Sequence, residues 1–246
     1  MDKEAFTLAC IRALGQDGAG FSGIGRLSEK TLHRTLKLYL EPDESFHEIE
    51  CYGSVADIKN STGIIEIQRA SFAYLVPKLE RFLPHSPVTV VHPIVAKKRV
   101  KRLDTETGEI TSSGRTVKGR TLFDSAFEIY KLRSFIGREG FRLIVLMLDC
   151  DEYRIPDPKA RHGRGGERRI EAIPTDIIAE YTLVTKEDYL AHLPAGLDGS
   201  FSADEFKKRA GTRSRYAYYY LRLLCDLGLM TRERTGGKYL YSRIEK

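Results

Sequence analysis

Apolar positions along this chain change spacing several times, and each change marks a predicted element. Leu32, Leu36, Tyr39 and Leu40 recur at three- and four-residue intervals, which predicts a helix starting at a Ser28 cap and stopped by Pro42. Alternating runs follow at Phe46–Cys51, Ser54–Lys59 and Ile64–Arg69, as expected of three short strands. Ser71 is placed to cap a second helix, Phe72 to Phe82, ended by Pro84. Val88–Ile94 reads as a buried strand, and Lys97 to about Ile110 as a basic excursion turning at Asp104–Gly108. A helix over Thr121–Arg133 and a strongly strand-like run at Phe141–Asp149 complete the pattern. A meander of strands followed by helices and further strands predicts an α/β fold, a mixed β-sheet flanked by helices.

The pattern weakens over residues 153–171, an Arg/Gly-rich stretch without apolar anchors that reads as a loop, solvated or clamped on a phosphate backbone. Helical spacing returns at Thr185–Leu193, Ala203–Ala210 and Arg213–Leu227, and a Gly236-Gly237 turn joins two final strands ending near Ile244. The expected organisation is a first domain over residues 1–180 and a second over 185–246.

Composition adds exclusions. No run approaches the roughly 18 apolar residues of a membrane helix, so no membrane partner is expected. The opening Met1-Asp-Lys-Glu carries acids where an export signal is basic, and Cys10, Cys51, Cys150 and Cys225 stand singly. Both features predict a reduced, cytoplasmic protein without a zinc site or disulfide framework. The net charge of +6 is concentrated. Residues 97–120 hold eight Lys/Arg against three Asp/Glu, and residues 196–246 hold eleven against six, which suggests a polyanionic partner.

The candidate chemistry lies in Val55–Gln68. Asn60-Ser-Thr-Gly63 is a turn signal, and a hairpin symmetric about it sets Asp57 opposite Glu66. Cross-strand Cβ atoms are roughly 4.5–5.5 Å apart, so the two carboxylates repel unless a cation lies between them. A hard divalent ion that takes one or two carboxylates and keeps its waters would serve. A solvated polar face is the plainer reading of the same pattern. Gln68 shares the face of Asp57 and Glu66, and Ile58, Ile65 and Ile67 point the other way. Glu29 precedes Leu32 on the apolar stripe of the first helix, either as a carboxylate needing a partner or as an early-turn acid favoured by the helix dipole. Glu48 is a further candidate, opposite Asp57 if the Cys51–Ser54 turn is symmetric.

A helix with an early Glu, a meander carrying an Asp, and a Glu-x-Lys-like element before another helix resembles the PD-(D/E)XK nuclease superfamily, restriction endonucleases and Holliday-junction resolvases included. Here the pattern reads Glu29, Asp57, Glu66 and Gln68 across residues 22–150, on a restriction endonuclease-like core. The resemblance implies a Mg²⁺- (or Mn²⁺-) dependent phosphodiesterase. Asp57 and Glu66 would be the metal ligands, Glu29 and Gln68 would complete the catalytic set, and the Ile67 carbonyl is a further candidate ligand. Gln68 stands where most of the family has lysine, although some restriction endonucleases of the superfamily use Gln; an amide can orient water but cannot act as a base. Lys59, on the face of Asp57, is a candidate for a migrated positive charge.

Residues 185–246 resemble a winged helix-turn-helix. Ala217, Tyr220, Leu221 and Leu224 form the inward stripe of its long helix, leaving Arg213, Arg215, Tyr216, Tyr219 and Arg222 outward. Such side chains suit phosphates and base edges, and Lys238 in the wing would reach the adjacent backbone. Protein docking is the competing use of the same surface. The combined expectation is a DNA endonuclease acting on double-stranded DNA, as a homodimer if both strands are cut. The alternative is a non-enzymatic DNA-binding regulator on a nuclease-like scaffold. Nothing in the chain discriminates RNA from DNA.

Overall fold

The computed structural model describes residues 1–15, 30–104, 107, 109–157, 159 and 166–244. The chain runs α1 (Lys3–Gly15), α2 (Lys30–Leu40), β1 (His47–Cys51), β2 (Ser54–Asn60), β3 (Gly63–Ile67), α3 (Val76–Phe82), β4 (Val88–Leu103), β5 (Ile110–Lys118), α4 (Ala126–Ile129), β6 (Phe141–Pro156) and β7 (Glu167–Leu183). It continues through α5 (Lys186–Ala191), β8 (Phe201–Ser202), α6 (Ala203–Ala210), α7 (Ser214–Asp226), β9 (Met230–Thr235) and β10 (Lys238–Arg243). Seven strands form one sheet in the order β1-β2-β3-β4-β6-β7, with β5 paired to β4. It is a mixed sheet, because β2 and β3 are antiparallel whereas β3 and β4 are parallel. The fold is therefore α/β, with helices flanking a large mixed sheet.

Two compact units divide the described residues, and β4, β6 and β7 each contribute to both. The first comprises residues 1–47, 95–119 and 147–180. In it α1 packs on α2 through Ala9, Ala13 and Leu38, with Phe6 edge-on to Tyr39 at 5.4 Å. The excursion expected from Lys97 is instead a β4–β5 ribbon, paired from Lys97↔Lys118 to Leu103↔Ile110 with two irregularities. The expected loop over 153–171 is largely strand: β6 continues to Pro156 and β7 begins at Glu167. Tyr153 and Ile170 are buried there with Leu103, anchors too widely spaced to register as an apolar run.

The second unit comprises residues 48–94, 120–146 and 181–246. Ile58, Ile64 and Ile67 are buried with Val88, Val90, Val91, Phe72, Leu79 and Phe82, so α3 and its entry turn cover the strands carrying the candidate acids. The segment expected as one helix over 72–82 is a 3-10 turn, Phe72–Tyr74, followed by α3. Ser71 does not cap it. Its backbone is left-handed (φ 61°), and the Phe72 N–H donates to the Glu128 carboxylate at 2.8 Å instead. The 121–133 segment is likewise a short α4 between two 3-10 turns.

The C-terminal portion has α6, a turn at Gly211 (φ 60°), α7, and the three-stranded sheet β8-β10-β9. Ala217, Tyr220, Leu221 and Leu224 are all buried, as the helical spacing predicted. Phe123, Phe206 and Tyr220 form an aromatic trio at centroid distances of 4.9–5.7 Å, and the Tyr220 hydroxyl donates to the Tyr189 carbonyl at 2.6 Å.

Gly63 closes the β2–β3 turn with φ 132°, and a Cβ there would meet the Pro87 carbonyl oxygen at 2.5 Å. Gly63→Ala is accordingly expected to destabilise the fold by more than about 2 kcal/mol in urea unfolding, since both conformation and space are wrong for a side chain.

Candidate functional site

Strands β2 and β3 pair Asn60↔Gly63, Lys59↔Ile64 and Ile58↔Ile65, the register expected from the turn. At the next position side chains join the ladder. The Asp57 N–H donates to Glu66 Oε1 at 3.4 Å, and Asp57 Oδ2 accepts from the Ile67 N–H at 2.8 Å. The two candidate acids are thus neighbours, Asp57 half-buried and Glu66 only 3% exposed.

A lysine reaches them from a place the sequence reading did not consider. Lys78 Nζ, on α3, lies 2.7 Å from Glu66 Oε2. Its position one residue after Pro77 at the start of a helix was the available signal, but nothing in the spacing says that this helix folds back over β3. Lys59, the earlier candidate, instead has its ammonium 4.7 Å from the Tyr52 ring centroid. Gln68 also turns elsewhere: its Nε2 donates to the Ala70 carbonyl at 2.5 Å, while its own carbonyl meets His92 Nδ1 at 2.7 Å. Glu48 is exposed on β1 with φ 52°. Glu29 lies outside the described residues.

The electrostatics follow from this packing. Burial first, and the Asp57 charge second, push the Glu66 carboxyl up to about 7, against the opposing pull of Lys78. Burial also pushes the His92 imidazole down to about 4 despite its bond to the Gln68 carbonyl. Among the described residues no group of three or more His, Cys, Asp or Glu side chains is disposed to hold a metal ion. Two adjacent carboxylates nevertheless fit Mg²⁺, which commonly uses one or two and retains water.

The positions expected to meet nucleic acid divide into two groups. Arg213 is exposed near the start of α7, and Lys238 is exposed on the β9–β10 hairpin beside Arg232 and Arg234. Arg215 lies over the Phe127 ring at 4.2 Å and Arg222 over Tyr130 at 5.2 Å, while Tyr219 packs on Phe127 at 4.8 Å. Tyr216 is half-buried. One outward face of α7 therefore leans on the 122–132 segment, although Arg215 and Arg222 stay exposed, as Arg213 is.

Over residues 30–184 the chain matches the family described as a domain of unknown function (DUF8091), and it belongs to that family. It is 26% identical over 201 residues to an uncharacterized protein of Treponema pallidum (strain Nichols), covering 81% of this chain and 80% of that one. No solved structure matches it. No helix among the described residues is long and apolar enough to cross a membrane.

Glu66 and His92 act oppositely on stability. Between about pH 4.5 and 7 the folded state retains the Glu66 proton that the unfolded chain releases, so this group destabilises the fold as pH rises. Between about pH 4 and 6.5 the unfolded chain protonates its His92 while the folded chain does not, so that contribution grows with pH. The two slopes largely offset one another in the wild type. Glu66→Gln is expected to unmask the His92 slope, giving urea stability that climbs from pH 4 to 6.5. A variant profile parallel to that of the wild type would show that Glu66 titrates in the ordinary carboxylate range.

Proposed function

We propose that the protein is a divalent-metal-dependent DNA endonuclease with a PD-(D/E)XK-type site on its sheet and a winged helix-turn-helix at its C-terminus. The observation that carries this reading is the buried Glu66 carboxylate, hydrogen-bonded to the Asp57 backbone and 2.7 Å from the Lys78 ammonium. Opposed carboxylates with a lysine are the functional groups phosphodiester hydrolysis needs, and here they come from three adjacent elements.

Asp57 and Glu66 would hold Mg²⁺ or Mn²⁺. When bound, the metal supplies Lewis acidity toward a phosphoryl oxygen and acidifies water. The protein's own groups do the positioning. The Ile67 N–H fixes the Asp57 carboxylate, so its orientation does not depend on ligand. Lys78 lies 2.7 Å from Glu66, and in this reading it would supply the positive charge that Gln68 lacks. Lys78 would hold a phosphate oxygen or orient the attacking water. DNA is the proposed substrate, and two copies, one per strand, the stoichiometry for cutting a duplex.

The α6–turn–α7 unit with the β9–β10 hairpin supports the winged-helix assignment. Arg213, Arg234 and Lys238 are its proposed phosphate contacts, since Arg215 and Arg222 lie against aromatic rings. The second reading, a DNA-binding regulator on a nuclease-like scaffold, is favoured by the Gln68 amide turning to Ala70.

Supercoiled plasmid incubated with Mg²⁺ or Mn²⁺ separates the two. The endonuclease reading predicts metal-dependent nicking, abolished by Asp57→Ala and by Glu66→Ala and reduced at least about 100-fold by Lys78→Met. Intact plasmid that still shifts on a gel with wild type and variants alike would leave the regulator. In the same binding assay, Arg213→Ala with Lys238→Ala is expected to reduce the slope of log K against log salt by about 2.

A further inference from the structure

The β9–β10 hairpin sorts its charges by face. Tyr239 pairs with Arg234 and Tyr241 with Arg232, so these four side chains share one face, whereas Glu233 and Leu240 pair on the other. Tyr241 is 3% exposed and anchors its face to the core, with its ring stacked on Phe201 at 6.4 Å. Toward the tip the same face opens, and Arg232, Arg234 and Tyr239 are all exposed. Residues 230–243 carry four Lys/Arg against one Asp/Glu, and that acid, Glu233, belongs to the face away from the tyrosines.

Aromatic rings stand among these cations. The Arg232 guanidinium lies over the Tyr239 ring at 4.4 Å, and Tyr239 remains 46% exposed with it there. Helix α7 brings a second ring. Tyr218 is 40% exposed, and its hydroxyl accepts from Arg222 Nη1 at 3.3 Å. Burial raises the Tyr241 hydroxyl above its usual range, Arg232 opposes that shift and Tyr218 adds to it, which sets both groups around Tyr241. The hairpin and α7 thus present exposed rings and exposed guanidiniums about one buried tyrosine. Arg232 is held by a ring, and Tyr218 by an arginine, before any partner arrives, which lowers the ordering cost of binding.

Phosphate recognition alone needs no exposed rings. A duplex keeps its base faces inside the stack and offers phosphates and base edges. A tyrosine face open to water is matched instead by the face of an unpaired base, whatever its identity. Arginines beside the ring meet the backbone of the same strand. We propose that this face of the hairpin and α7 binds a nucleic-acid strand with unpaired bases, stacking them on Tyr218 and Tyr239 with its phosphates on Arg232 and Arg234. The inference rests on the nucleic-acid reading of the C-terminal portion and not on the catalytic one.

Fluorescence anisotropy with the full chain tests it, using labelled dodecathymidylate, a duplex of the same length, and an abasic strand that keeps the phosphates without the bases. A dodecauridylate arm separates RNA from DNA as the strand. Tyr218→Leu and Tyr239→Leu each remove a ring face and leave every cation in place. Both side chains are exposed, so either variant can carry the test if the other fails to fold. The wild type is expected to prefer dodecathymidylate to the abasic strand by about tenfold or more, and each substitution to weaken dodecathymidylate binding about tenfold. Binding of the duplex and of the abasic strand is expected to be unchanged by both. Duplex binding without a preference for dodecathymidylate over the abasic strand overturns the proposal and leaves the C-terminal reading standing. So does dodecathymidylate binding that is indifferent to both substitutions. No binding of any probe overturns both.

Discussion

A carboxylate buried beside a second carboxylate is the constraint around which the second unit is organised. Glu66 is 3% exposed, adjoins Asp57, and keeps company with the Lys78 ammonium. A buried acid without such partners would cost several kcal/mol, so the position of α3 over β3 is tied to this ion pair as well as to Leu79 and Phe82. The bond from the Ile67 N–H to Asp57 does the same for β2 and β3. Replacing the group with a well-packed apolar residue would satisfy the fold more simply.

The C-terminal portion is governed by aromatic packing. Phe123, Phe206 and Tyr220 close its core, while Phe127 and Tyr130 receive Arg215, Tyr219 and Arg222 from α7. An arginine over a ring keeps its charge and donors but loses freedom. The α7 helix is thereby anchored along one side, while Arg213 and the β9–β10 hairpin are exposed.

Much of this architecture was readable from the chain alone. Strongly periodic segments, the inward stripe of α7 and the register of the Asn60–Gly63 turn all depend on local spacing, which the sequence displays. The failures share a different cause. Ser71 has the residue type of a cap, yet Glu128, 57 positions later, supplies the bond to the Phe72 N–H. Lys59 was closer in sequence to the acids, but Lys78 reaches them through the packing of α3. The outer parts of β4, β6 and β7 carry charged side chains that pair across the sheet, so they look like solvated excursions until their partners are known. Tertiary contacts decided each of these cases, and local pattern could not.

The state of the Glu66 carboxyl tests the account most directly. Isotope-edited infrared titration, with Glu66→Gln to assign the band, is predicted to find the carboxyl titrating near pH 7 without divalent cations and at lower pH once Mg²⁺ is added. Titration in the ordinary carboxylate range, or a midpoint indifferent to Mg²⁺, would contradict the claim that Asp57 and Glu66 are a pair built to share a cation.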